Sequence, residues 1–128
     1  MTPDEMADRL ERAADRLPNA IYKGVAHTGV LGQARIRGNA SGRPGPNVIT
    51  GAYRTSWRAH PRRIPYGAQC TLGTEAPMGR RLEFGFTGTD SLGRHYNQPP
   101  FPHVGPAIDF ITATLHAQMR LAVAEALT

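Results

Sequence analysis

Along the first quarter of the chain the apolar positions Met6, Leu10, Ala13 or Ala14, Leu17, Ile21 and Val25 recur at steps of three or four, the period of a helix with one dry face. Asp8, Arg9, Glu11, Arg12, Asp15 and Arg16 fill the other face. The start is well marked: Thr2 fits the N-cap, Pro3 the first helical position, and Glu5 completes a capping box. Pro18 interrupts the stripe without changing its phase, so either one helix kinks there or a second begins with Pro18 at its first position. Helical spacing runs on through Val30 and Leu31 to Ile36, weakened by Gly24, Gly29 and Gly32.

Gly38 to Asn47 has no hydrophobic anchor and reads as a loop. Tyr53, Thr55, Trp57 and Ala59 then alternate with Arg54, Ser56, Arg58 and His60, which predicts a strand with one dry and one basic face. Pro61 and Pro65 bracket an expected turn holding Arg62 and Arg63, and a second strand is expected from Tyr66 to about Thr74, the two pairing as an antiparallel hairpin. In the stretch from Ala76 to Phe86, Pro77 suits the opening of a helical turn, while Leu82, Phe84 and Phe86 suit an alternating strand. Pro106 opens a final helix with two apolar stripes, Ile108, Ile111, Leu115, Met119 and Ala122 on one and Phe110, Ala113, Ala117, Leu121 and Ala124 on the other. Such a helix expects two partners, its own sheet and a neighbouring subunit. The expected architecture is α+β: a long N-terminal helix and a C-terminal helix packed on a small antiparallel sheet. It forms one domain over 1–128, with mobile loops at about 38–49 and 87–102.

Composition sharpens this picture in two ways. Leu, Ile, Val and Phe supply only 24 of 128 residues, with Ala adding 17, so the core is thin and burying a second face in an oligomer stabilises such a chain more than most. The basic residues are 14 Arg and one Lys against 10 acids, a pI near 10.1, which favours acidic partners or nucleic acid. A single cysteine, Cys70, excludes an intrachain disulfide framework, and no apolar run approaches the roughly 18 residues of a membrane span.

Chemical motifs are few. The histidines, His27, His60, His95, His103 and His116, lie in five different segments without metal-ligand spacing, and no Gly-x-Ser-x-Gly elbow, P-loop or Gly-x-Gly-x-x-Gly is present. No metal or cofactor is expected. Glu83, Asp90 and Asp109 are the carboxylates a hydrolase would use, but Glu83 reads as a structural acceptor and Asp90 as a turn former. Arg54, Arg58, Arg62 and Arg63 near Tyr53, Trp57 and Tyr66 resemble a nucleic-acid-binding sheet in composition, although alternation puts Tyr53 and Trp57 on the face opposite Arg54 and Arg58.

Thr50-Gly51-Ala52-Tyr53-Arg54-Thr55-Ser56, Leu82-Glu83-Phe84-Gly85, and Pro99-Pro100-Phe101-Pro102 leading to Pro106-Ala107-Ile108 resemble, in order and spacing, the tail-completion or head-tail joining proteins of long-tailed bacteriophages. The family's more usual Arg-Pro-Phe is Pro99-Pro100-Phe101 here. The resemblance implies a structural virion protein and no enzyme. It implies a ring of six or twelve copies in the phage neck, between the connector or adaptor and the tail terminator or tail tube, leaving a channel for DNA and built in the host cytoplasm without a membrane. On that resemblance Arg54, Arg58, Arg62 and Arg63 meet a protein partner or line the channel, and Phe101, His103 and Leu121 make oligomer or docking contacts. The rival expectation is a small basic nucleic-acid-binding module.

Overall fold

The computed structural model of the chain describes residues 1–48 and 50–128, and the architecture is α+β. In chain order the elements are α1 (Pro3–Asn39), α2 (Ala52–Ser56), β1 (Arg58–Ile64), β2 (Gly67–Gly73), α3 (Gly79–Phe84), β3 (Phe86–Thr89), β4 (His95–Gln98) and α4 (Ile108–Ala126), the last entered through a single 3-10 turn at Gly105–Ala107. The strands form two separate two-stranded sheets, β1 with β2 and β3 with β4.

The N-terminal signals act as their chemistry predicts. The Glu5 N–H donates to Thr2 Oγ1 at 3.2 Å, and the Thr2 N–H donates to Glu5 Oε2 at 3.0 Å, a reciprocal capping box. Helix α1 runs unbroken through Pro18. Pro18 cannot donate to the Ala14 carbonyl, but both residues are exposed, so water can serve that oxygen and one continuous helix results.

Three local expectations are corrected. Tyr53–Ser56 belongs to a short helix, not a strand, and β1 begins only at Arg58. Pro61, Arg62 and Arg63 lie within β1, and the reversal is the two-residue Pro65–Tyr66 turn, with Tyr66 at φ 63°. Pro61 lacks an N–H for a ladder, which a two-stranded sheet tolerates because each strand has an open edge. Of the expected loop at 87–102, most is the β3–β4 hairpin, paired from Phe86 with Gln98 to Thr89 with His95. Its turn is organised by Asp90, whose Oδ1 accepts from the N–H groups of Leu92 and Arg94 at 2.9 Å each. Ile49, in the other expected loop, lies outside the described residues. In that segment Gly45 and Pro46 are buried and the Arg43 guanidinium lies 3.8 Å from the centre of the Phe101 ring, so it has an anchor that a hydrophobicity pattern cannot register.

The chain divides into two compact units. The first comprises Met1–Leu31, Ala59–Thr71 and Ile111–Thr128. Its buried apolar side chains are small, Ala13 and Ala20 from α1 and Ala122 and Ala126 from α4, which lets the two helices approach closely. A Cβ on Gly24 would lie 2.9 Å from Met119 Cε. Polar bonds finish this seam: Arg9 donates to the Leu127 carbonyl and Arg16 to the Thr128 oxygen at 2.7 Å, placing positive charge and donors just past the C-terminal end of α4. Lys23 pairs with Glu125 at 2.7 Å. The second unit, Gly32–Arg58 and Leu72–Phe110, buries Ile36, Ala40, Trp57, His103 and Ala107.

Candidate functional site

Within the second unit, residues far apart in sequence converge on His103, which has no exposed surface. α2 presents Tyr53, whose hydroxyl lies 2.6 Å from His103 Nε2. Trp57, immediately after α2, meets the imidazole edge to face with ring centroids 5.8 Å apart. On the other side of the ring, His103 Nδ1 is 2.9 Å from the Phe101 carbonyl oxygen and 3.1 Å from Glu83 Oε2. One assignment satisfies every atom: the proton sits on Nδ1, and Nε2 accepts from the Tyr53 hydroxyl.

One local and one distant feature hold α2 in place. Gly51, at φ 80°, turns the chain into the helix, and Arg37 of α1 caps its far end, donating to the carbonyls of Thr55 and Trp57. Glu83 in α3 is bound more tightly still. Its carboxylate accepts the backbone N–H groups of His103, Val104 and Gly105 at 2.7, 3.0 and 2.8 Å, the donors that open the turn leading into α4. Burial pushes the Glu83 pKa up, but those three N–H groups and the neighbouring His103 outweigh it and hold the carboxyl below its ordinary range. Burial also raises the Tyr53 pKa, assisted by the Glu83 charge and opposed by the Trp57 indole. The Trp57 Nε1–H lies near that hydroxyl without hydrogen-bond geometry, and it has no partner among the described residues.

Gly85 completes the Leu82–Gly85 segment at φ 81° and ψ 173°, a region open essentially to glycine alone. A Cβ there would sit 2.8 Å from the Gln98 oxygen and 3.0 Å from the Pro100 nitrogen. Gly85→Ala is therefore expected to cost about 2 to 3 kcal/mol, combining backbone strain with an enforced shift of the Gln98–Pro100 strand end. A urea denaturation midpoint unchanged from wild type would contradict this.

The arrangement's chemistry is that of a clamp. The Tyr53, His103 and Glu83 chain has the members of a proton relay, but the imidazole is enclosed and the carboxylate is saturated by backbone donors. Asp90 is likewise occupied. The Arg94 backbone N–H first, then the Arg94 side chain at 2.6 Å, the Leu92 N–H and the Tyr96 hydroxyl, hold its carboxyl below the ordinary range. Cys70 is half-buried on β2 against Gly29, and burial pushes its thiol pKa up, the opposite of nucleophile activation. No group of three or more His, Cys, Asp or Glu side chains able to hold a metal comes together among the described residues.

The residues expected at a partner or channel surface separate. Arg58 and Arg62 project from the exposed face of β1, with Arg62 donating to Gln69 at 3.1 Å. Arg63 stacks over the Tyr22 ring at 4.4 Å, and Arg54, half-buried on α2, donates to Ser41 Oγ. Among the expected docking residues, Leu121 is exposed and Phe101 is half-buried under Arg43. His103 is wholly buried, and its contacts to Tyr53, Trp57 and Phe101 lie inside the subunit. Sequence reasoning missed the joint role of Tyr53, Trp57, Glu83 and His103, because no local pattern links positions up to 50 residues apart. An open groove of about 550 Å³ runs beside this cluster, with Trp57 and Glu83 in its wall and Phe84 and Ile108 exposed along it. No protein-family model, curated protein or solved structure matches the chain.

Proposed function

We propose that the chain is a structural subunit that assembles into a ring in the neck of a long-tailed bacteriophage, joining head to tail around a DNA channel. The observation that carries this reading is the second apolar stripe of α4. Ala113, Leu121 and Ala124 are exposed, with Leu121 61% accessible, and Phe110 and Ala117 half-buried, while the first stripe runs from the exposed Ile108 to the buried Ala122. Exposed apolar helix surface of this kind is available for an assembly contact. A second support is that the three segments carrying the resemblance to tail-completion proteins, around Tyr53, Glu83 and His103, are bonded to one another.

In this reading six or twelve copies meet the connector or adaptor on one face and the tail terminator or tube on the other, and DNA passes without being held. A channel that grips phosphate would stall passage, so binding to DNA should be weak and uniform. The rival is a basic nucleic-acid-binding module. Against it, Tyr53 and Trp57 are turned to His103 and cannot stack on bases, and Tyr22 lies under Arg63, leaving Tyr66 as a fully exposed aromatic at the hairpin turn. The test is a salt titration of duplex and single-stranded DNA binding alongside the solution mass of the protein. A multimer of the 13.9 kDa chain with weak DNA binding supports the joining subunit. A monomer that binds tightly, with binding lost in Arg54→Ala/Arg58→Ala, contradicts it.

A further inference from the structure

Charge is distributed along this chain in blocks. Five of its ten acids fall within the first 15 residues, and from Arg16 to Thr74 there is no carboxylate at all among nine basic side chains. The first block is organised on α1, where steps of four, three and four put Asp4, Asp8, Glu11 and Asp15 on one stripe. None of the four side chains makes a hydrogen bond or ion pair among the described residues, and all are exposed. The arginines interleaved with them are partly committed elsewhere, Arg9 to the Leu127 carbonyl and Arg16 to the Thr128 oxygen.

The opposite charge is presented by a sheet face. Alternation along β1 places Arg58, His60 and Arg62 on the same exposed side, about 6.7 Å apart in succession, with no acid anywhere on the hairpin. Successive acids on the helix stripe advance about 5 to 6 Å along its axis. The two rows are thus of similar pitch and opposite sign, and both are left without a covering element.

We infer that the exposed β1 face, Arg58, His60 and Arg62, docks the acidic stripe of α1, Asp4, Asp8, Glu11 and Asp15, from a second copy of this chain. The two surfaces are different, so the contact is head-to-tail, the kind that closes into a ring when the rotation between neighbours permits. The inference deepens, and rests on, the reading of the chain as a ring-forming subunit, and it assigns these arginines to a neighbouring subunit instead of DNA.

The experiment uses two full-length charge reversals, Arg58→Glu/Arg62→Glu and Asp8→Lys/Glu11→Lys, with solution mass measured at low and high salt. Wild type should associate at low salt and weaken as salt rises, because exposed charges are screened. Each variant should associate at least about tenfold more weakly, and an equimolar mixture of the two should recover association, since each then supplies the charge the other lost. Both variants change exposed side chains and should keep the wild-type melting temperature, so loss of folding does not mimic the result. Failure of the mixture to recover, or variants that assemble like wild type, overturns this contact; assembly into a ring in that second case leaves the joining-subunit reading standing. A wild type that stays monomeric at low salt overturns both. Loss of duplex DNA binding by the arginine variant, with its mass unchanged, overturns the contact and makes the β1 face a nucleic-acid surface.

Discussion

Replacing Glu83 by Ala should destabilise the chain by about 3 kcal/mol. The substitution leaves the N–H groups of His103, Val104 and Gly105 without their shared acceptor, and unpaired donors of this kind cost about 1 to 3 kcal/mol each where water cannot reach them fully. It also removes a negative charge from the start of the turn that leads into α4. Glu83→Gln keeps one acceptor oxygen and should cost less, about 1 to 2 kcal/mol. The two variants separate the geometry of the clamp from its charge.

The charge has its own signature in pH. Glu83 has a folded-state pKa below the ordinary value of 4.5, so its contribution is fully present above that value and is lost as pH falls through the depressed folded pKa. Wild type should therefore lose stability on acidification below the ordinary glutamate range, and Glu83→Gln should show a shallower loss there. Equal slopes for wild type and Glu83→Gln in urea midpoints across acidic pH would show that the carboxylate is not the titrating clamp.

His103→Ala is the second large effect, again about 3 kcal/mol. The imidazole is wholly enclosed, so its removal opens a cavity between Tyr53 and Trp57 and strands the Tyr53 hydroxyl, which loses its 2.6 Å partner. Tyr53→Phe should cost less, about 1 to 2 kcal/mol, because it removes one donor and no ring. The pair should be non-additive, since the hydroxyl has nothing left to lose once the imidazole is gone. Leu121→Ala, on the exposed stripe, should move the stability of the isolated subunit by no more than about 0.5 kcal/mol. A His103→Ala protein as stable as wild type would contradict the clamp.

The parts of this fold legible in the sequence are those set by neighbours within a turn or two. Thr2 and Glu5 mark the start of α1 because the capping box is closed by residues three apart. Asp90 as a turn former was likewise readable from its immediate surroundings, whereas Glu83 reads as a structural acceptor but its donors lie 20 to 22 residues further on. Tyr53–Ser56 misleads because a five-residue helix is too short for period 3.6 to be told from period two. What stabilises it, the Arg37 side chain on the Thr55 and Trp57 carbonyls, comes from 18 and 20 residues earlier. The β3–β4 hairpin hides for a related reason. Its Gly, Asn and Gln content is that of a loop, and Asp90, with its bonds to Leu92 and Arg94, supplies the order that hydrophobicity does not. The His103 cluster was beyond local reading altogether: a lone histidine between prolines carries no sign that Tyr53 and Glu83 will close on it.

Assembly is the central claim, and imaging tests it most directly. Negative-stain images of the largest species found by light scattering should show closed rings with a central opening, six or twelve copies of the 13.9 kDa chain in each. A protein that remains a monomer at every concentration, and instead binds duplex DNA tightly and in a salt-dependent way, would contradict the account.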